Sequence, residues 1–164
     1  MKGLPKEFFQ EQLKLTVNNK FKIRDYEPAD YEAVAKLWND TGMGSPARGD
    51  DHKAIERTLK TGGKLLIMVD IENGELIGTS WMSTDGRRIY LHHFGIRPDY
   101  QGKGLSKPLL EKTLEFARST GLQIKLEVHK DNIKAVRLYE KYGFNYLGDY
   151  NVYIIRDYSK LKIW

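Results

Sequence analysis

The chain has 164 residues, 40% of them hydrophobic, which is enough to bury the core of one domain. It contains no cysteine, which excludes disulfides, thiolate metal sites and a cysteine nucleophile, and is compatible with a reducing compartment. The net charge of +5 is spread along the chain rather than gathered in a basic block, so it suits an anionic ligand better than nucleic acid.

The N-terminal residues show no targeting signal. Residues 1–10 lack the apolar run of a signal peptide, and no stretch has the length of a membrane helix. We therefore expect a cytoplasmic protein that does not contact a membrane. Apolar residues recur at helical spacing over 5–15, so residues 1–19 are predicted to be a helical extension and 20–164 a single domain.

The first half of the domain alternates strands and helices. Residues 20–25 are predicted to form a strand, and a helix with one apolar face begins at Pro28. The segment 40–51 is rich in glycine and is predicted to be a loop, and a second helix covers about 51–60.

A hairpin and a central strand follow. Strands are predicted at 64–71 and 75–83, and Asn73-Gly74 between them is typical of a type I′ turn. Asp85-Gly86 is a similar turn into a strand that starts near residue 88 and is stopped by Pro98.

The central strand leads into Gln101-Gly102-Lys103-Gly104 and then into a helical pattern. A strand, a glycine turn and a helix N-terminus can bind an anion, because backbone N–H groups point outward there. The alternative is an ordinary turn with solvated lysines. Pro108 is tolerated only in the first turn of a helix, so we expect the helix to begin at Leu105 or Ser106.

The last third is predicted to contain a strand at 123–129, a helix at 132–142, and strands near 145–150 and 152–158. The strands on either side of the 105–120 helix should be parallel. Side chains alternate along 123–129, so Glu127 shares a face with Lys125 and His129.

Two of these segments resemble motifs of the GCN5-related N-acetyltransferases (the GNAT family). The pattern Arg/Gln-x-x-Gly-x-Gly/Ala is matched by Gln101, Gly104 and Ser106, with Ser106 a departure. An Asn followed by Leu-Tyr-Glu-Lys-x-Gly-Phe is matched by Asn132 and residues 138–144. The resemblance implies an α/β (α+β) fold: a mixed, twisted central sheet of about six to seven strands with helices on both faces.

The resemblance also implies acetyl-CoA as acetyl donor, no metal, and transfer to a primary amine of a small molecule or a peptide N-terminus. A bulge in the central strand should separate it from its parallel neighbour beyond residue 94, making room for the pantetheine arm. The pyrophosphate should bind backbone N–H groups of the glycine turn. The residues expected at the cofactor are Phe94, Gly95, Ile96, Gln101, Gly102, Lys103, Gly104, Leu105, Ser106, Lys107, Asn132 and Tyr139.

Tyr139 resembles the family's proton donor to the leaving thiolate, although it could instead pack the helix. Two side chains are candidates for the base that deprotonates the amine. Glu127 resembles the base of ribosomal-protein N-terminal acetyltransferases, and His92 that of serotonin-type acetyltransferases. His93 should point to the opposite sheet face and have a structural role. Asn132 is also well suited to cap the helix that follows it.

One alternative function comes from the departure at Ser106, which is compatible with a non-catalytic acyl-CoA-binding regulatory domain. Acceptor specificity is expected to come from residues 40–52 and 148–154. The predicted partners are acetyl-CoA and an amine, without nucleic acid or membrane, in a monomer or a homodimer.

Overall fold

The structure is a computed structural model that describes residues 16–17, 20–148, 150–157 and 159. The chain divides into two compact units, residues 1–127 and 128–164. The helix expected at 5–15 lies outside the described residues, so the division into a 1–19 extension and a 20–164 domain stays a prediction.

The first unit is built on a six-stranded sheet whose strands follow one another in sequence order. Neighbouring strands pair antiparallel except the last two, which are parallel as predicted. The strands are β1 (Thr16–Val17), β2 (Phe21–Asp25), β3 (Lys64–Asp70), β4 (Leu76–Thr84), β5 (Arg88–Ile96) and β6 (Gln123–Leu126).

Helices cover both faces of this sheet, which confirms the expected fold class. On one face lie α1 (Tyr31–Thr41) and α2 (His52–Lys60), where Trp38 of α1 stacks on Trp81 of β4 with ring centroids 5.1 Å apart. We call this the α1 face. On the other face lies α3 (Ser106–Thr120), whose Thr113 hydroxyl is 2.7 Å from the Ser80 hydroxyl of β4. The strands β3 and β4 lie between these layers, so most of their residues are buried.

Several local predictions are confirmed. The β3–β4 hairpin forms with Gly74 at φ +74°, but the two-residue type I′ turn is wrong, because the connection spans residues 71–75. Helix α3 begins at Ser106, which places Pro108 in its first turn, where no intrahelical bond is lost.

The second unit contains α4 (Ile133–Lys141). The strand expected at 123–129 is shorter and ends at Leu126, in the first unit. The predicted tail strands are wrong: residues 144–148 and 150–157 contain no strand. Their apolar pattern suits a strand, but a strand exists only where a neighbour completes its backbone hydrogen bonds.

Candidate active site

A β-bulge in β5 organises the α1 face. Phe94 pairs with Ser80 and Leu91 pairs with Met82, so His92 and His93 together oppose the single residue between Ser80 and Met82 on β4, which is Trp81. The extra residue resets the alternation of side chains beyond the bulge.

Both histidines therefore lie on the α1 face, with ring centroids 5.5 Å (His92) and 5.1 Å (His93) from the Trp81 ring. The expectation that His93 faces the opposite side is wrong, because alternation holds only in an unbulged strand.

Helix α1 supports the bulge through one buried hydroxyl. The Trp38 indole N–H donates to Thr79 Oγ1 at 2.9 Å, and that hydroxyl donates to the His93 carbonyl at 3.3 Å. Thr79 and Trp38 are both at most 1% exposed. The relay ties α1, β4 and the bulged strand together through direct hydrogen bonds.

Beyond the bulge, β5 loses its parallel neighbour. Pairing of β5 with β6 ends at Leu91–Leu126, three residues earlier than expected, while β5 continues to Ile96. The Arg97 N–H donates to the Ile77 carbonyl at 2.7 Å, so Ile96 and Gly78 face each other as a non-hydrogen-bonded pair. The backbone N–H and carbonyl of Ile96 therefore point away from β4, toward the side that β6 has left.

The glycine turn lies directly after this strand end. The Gln101 side-chain amide donates to the Ile96 carbonyl at 2.9 Å, which fixes the start of the turn. Gly102 and Gly104 both have φ +76°, and a Cβ built on either meets nothing within 4 Å. Leu105 is only 4% exposed and anchors the start of α3. The backbone at Gly102 and Gly104 is thus open at a helix N-terminus, which fits a pyrophosphate.

The two candidate bases lie near each other on the α1 face. Ser83 Oγ is 2.5 Å from His92 Nε2. Desolvation by the surrounding side chains, aided by His93, lowers the pKa of His92 to about 4, so its ring is neutral at pH 7. The residue nevertheless remains exposed to solvent. The Glu127 carboxylate is close enough to oppose that decrease. Desolvation and a hydrogen bond to Glu127 raise the pKa of Tyr90.

A cluster around His93 holds the loop after α1, residues 42–51, against the bulge. His93 Nε2 lies 3.3 Å from Asp50 Oδ2, and a Cβ on Gly44 would overlap the His93 ring. Met43 lies against Gly95 so closely that a Cβ there would be 2.6 Å from its sulfur. Burial lowers the pKa of His93, and Asp50 opposes that decrease. The loop expected to select the acceptor therefore borders the bulge.

Comparison with known proteins shows the family of the chain. The sequence matches the Acetyltransferase (GNAT) family over residues 24–144. The chain belongs to this family. The expectations of a GNAT member and of an N-acetyltransferase in the transferase class are confirmed.

A curated acetyltransferase of Pectobacterium atrosepticum is 31% identical over 73% of this chain and 84% of its own length. Among solved structures, an acetyltransferase of Streptococcus agalactiae has a TM-score of 0.70 at 24% identity, over 84% of this chain and 93% of its own. The ribosomal-protein-S18-alanine N-acetyltransferase of Escherichia coli has a TM-score of 0.64 at 23% identity, over 76% of this chain and 77% of its own. At these identities the structural likeness shows the fold.

In this acetyltransferase, the second unit carries the remaining motif residues. The Asn132 side chain accepts the Ala135 N–H at 3.3 Å, so it caps α4 as its residue type suggests. Tyr139 is 8% exposed and packs edge-on against Phe144, with centroids 5.5 Å apart. Desolvation raises the pKa of Tyr139 to about 12, so the phenol keeps its proton at pH 7.

Sequence reasoning missed Ser83, Tyr90 and Asp50, which lie beside His92 and His93 in the candidate site. The Asp85-Gly86 turn was a usable signal for two of them, because a hairpin there pairs Ser83 with Tyr90. Asp50 carried no local signal. Within the described part of the chain, no group of three His, Cys, Asp or Glu residues could hold a metal ion, and no helix has the length and apolarity to cross a membrane.

Proposed function

We propose that the chain transfers the acetyl group of acetyl-CoA to a primary amine by direct attack on the thioester, at the α1 face of β5. One observation carries the proposal: β5 extends past its last pairing with β6 and ends at an open glycine turn. This supports a donor site between the strands, with the reacting end near His92 and Glu127.

The donor's diphosphate is proposed to rest on the backbone N–H groups of residues 102–106, at the positive end of the α3 dipole. Lys103 and Lys107 add positive charge there. Leu105, anchored in the core, and Gln101, bound to the Ile96 carbonyl, hold the turn in place.

The pantetheine arm is proposed to lie along residues 94–96, and Asn132 to contact it in addition to capping α4. The Ile96 N–H, directed away from β4, is suited to polarise the thioester carbonyl as an oxyanion-hole donor does.

Either Glu127 or His92 is proposed to take the amine proton. A free alkylamine has a pKa of roughly 10 and must be deprotonated before attack. His92 is neutral at pH 7 and can accept a proton, and Glu127 can accept one directly or through water.

The pH dependence of kcat/KM separates the two bases. A base must be deprotonated to work, so activity falls as the pH drops through its pKa. If His92 is the base, the acidic limb should lie near pH 4 and disappear in His92→Gln but persist in Glu127→Gln. If the limb instead disappears in Glu127→Gln and persists in His92→Gln, Glu127 is the base. A limb near pH 4 that persists in both variants would refute both assignments.

Tyr139 is proposed to protonate the leaving thiolate, since a phenol with a pKa of about 12 keeps its proton at neutral pH. Tyr139→Phe should lower kcat by about 10²-fold or more and leave the Kd for coenzyme A nearly unchanged. Tyr142→Phe, at the end of the same helix, is the matched control and should keep its kcat. If both variants have the same kcat, Tyr139 is not the proton donor and only packs the helix.

The function itself is tested by thiol release from acetyl-CoA with polyamines, arylalkylamines, amino acids, aminoglycosides and peptide N-termini. We expect release with at least one amine, and a higher Tm with acetyl-CoA because the donor binds only the folded chain. A raised Tm without release would instead support the non-catalytic acyl-CoA-binding domain. An unchanged Tm would refute the donor site. The cytoplasmic location and the monomeric or homodimeric state stay predictions.

A further inference from the structure

A cavity lies on the α1 face beside the candidate bases. It is an open surface pocket with a volume of about 340 Å³. Its lining combines the Ser83–His92 pair with an aromatic ring and two cations. The lining residues are Ser83, Thr84, Asp85, Arg88, Tyr90, His92 and Lys125.

The sheet register brings the two cations to one wall of this cavity. In the parallel β5–β6 pair, Arg88 faces Gln123 and Tyr90 faces Lys125. Arg88 and Lys125 are therefore diagonal neighbours on one sheet face. The Lys125 ammonium lies 5.4 Å from the centroid of the Tyr90 ring, which holds it over the sheet. Both cationic side chains border the same space as the His92 ring.

The carboxylates nearby have other partners. Asp85 Oδ1 accepts the backbone N–H groups of Arg87 and Arg88 at 2.8 and 2.7 Å, which together hold the Asp85 pKa below its ordinary value. Glu127 lies close enough to Tyr90 that desolvation, together with the Glu127 carboxylate, raises the pKa of that phenol. Among the residues that the structure describes, neither Arg88 nor Lys125 forms a salt bridge with a carboxylate.

We propose that Arg88 and Lys125 bind an anionic group of the acceptor, so that the preferred acceptor is a small primary amine that also carries a carboxylate or a phosphate. An anion at these cations would place the rest of a small molecule toward Ser83 and His92. Arg88 can bind either anion through two parallel hydrogen bonds, and Lys125 adds a point charge. This inference rests on the proposed acetyl transfer.

Paired acceptors test the inference. Phosphoethanolamine is compared with ethanolamine, and β-alanine with propylamine, by thiol release from acetyl-CoA. The anionic member of at least one pair should have a kcat/KM about tenfold higher or more, and the pair that shows it distinguishes phosphate from carboxylate. The double variant Arg88→Gln/Lys125→Gln should remove this preference through KM, with the neutral amines changed less than about twofold.

Arg87→Gln is the matched control, because Arg87 adjoins Arg88 but does not line the cavity. It should retain the preference. Equal kcat/KM values within both pairs, or a double variant that behaves like the control, would overturn the inference.

Calorimetry without an acetyl donor reads the anion site alone. The double variant should weaken binding of the preferred anionic amine by about tenfold or more. Such binding without thiol release from any amine would leave the anion site standing and refute the proposed function. If thiol is released without a preference for anionic amines, and the double variant does not change binding, the proposed function stands and the anion site is refuted. If neither binding of an anionic amine nor thiol release is observed, the anion site and the proposed function are both refuted.

Discussion

Thr79→Val isolates the hydroxyl that joins α1 to the bulge. Valine keeps the volume of threonine, but it leaves the Trp38 indole N–H and the His93 carbonyl without the bonds they make at 2.9 and 3.3 Å. Leaving one buried polar group unsatisfied costs about 1–3 kcal/mol. Because the longer bond contributes less, we expect a loss of about 2 kcal/mol in the free energy of unfolding, or roughly 4–8 °C in Tm for a chain of this size.

Thr79→Ser is the control for this prediction. It keeps the hydroxyl and removes one buried methyl group, which costs about 1 kcal/mol. Urea unfolding of both variants at pH 7 supplies the comparison. The valine variant should be the less stable of the two and should also turn over more slowly, because His92 and His93 lose a support. A serine variant that is less stable than the valine variant would refute the relay and leave only packing at this position.

Two further predictions follow from the first unit. Arg24→Gln removes two hydrogen bonds, at 2.7 and 2.8 Å, through which the guanidinium holds the pKa of Asp30 below its ordinary value. Because the Asp30 pKa is lower in the folded chain, the ionised carboxylate stabilises the fold above the unfolded pKa of about 3.9, and this stabilisation is lost as the pH falls through the folded pKa. Urea unfolding should therefore show that the variant loses about 1 kcal/mol in the free energy of unfolding at pH 7 and less below about pH 4, and a loss that does not change with pH would contradict the prediction. Gly44→Ala places a Cβ against His93 and 2.7 Å from Asp50 Oδ2, so it should lower the free energy of unfolding by about 1–3 kcal/mol. It should also raise the KM for the amine more than the KM for acetyl-CoA in steady-state kinetics. If both KM values stay unchanged, this loop is not part of the acceptor site.

Features encoded over a few residues were predictable. The positive φ of Gly74 in the β3–β4 hairpin, the start of α3 ahead of Pro108 and the capping of α4 by Asn132 depend on local backbone preferences. The parallel pairing of the last two strands followed from the helix between them. The tail strands at 145–150 and 152–158 were wrong because the same alternating pattern forms no strand without a partner.

The sequence by itself determined the order of elements and the family, because glycine, proline and apolar spacing act within a few neighbours along the chain. Only the tertiary structure decided which groups meet at the site. The bulge that turns His92 and His93 to one face depends on the pairing of β4 with β5. The contact of Glu127 with Tyr90 depends on where the β5–β6 pairing stops. Register is set by packing on both faces of the sheet, and a shift of one residue moves every later side chain to the opposite face.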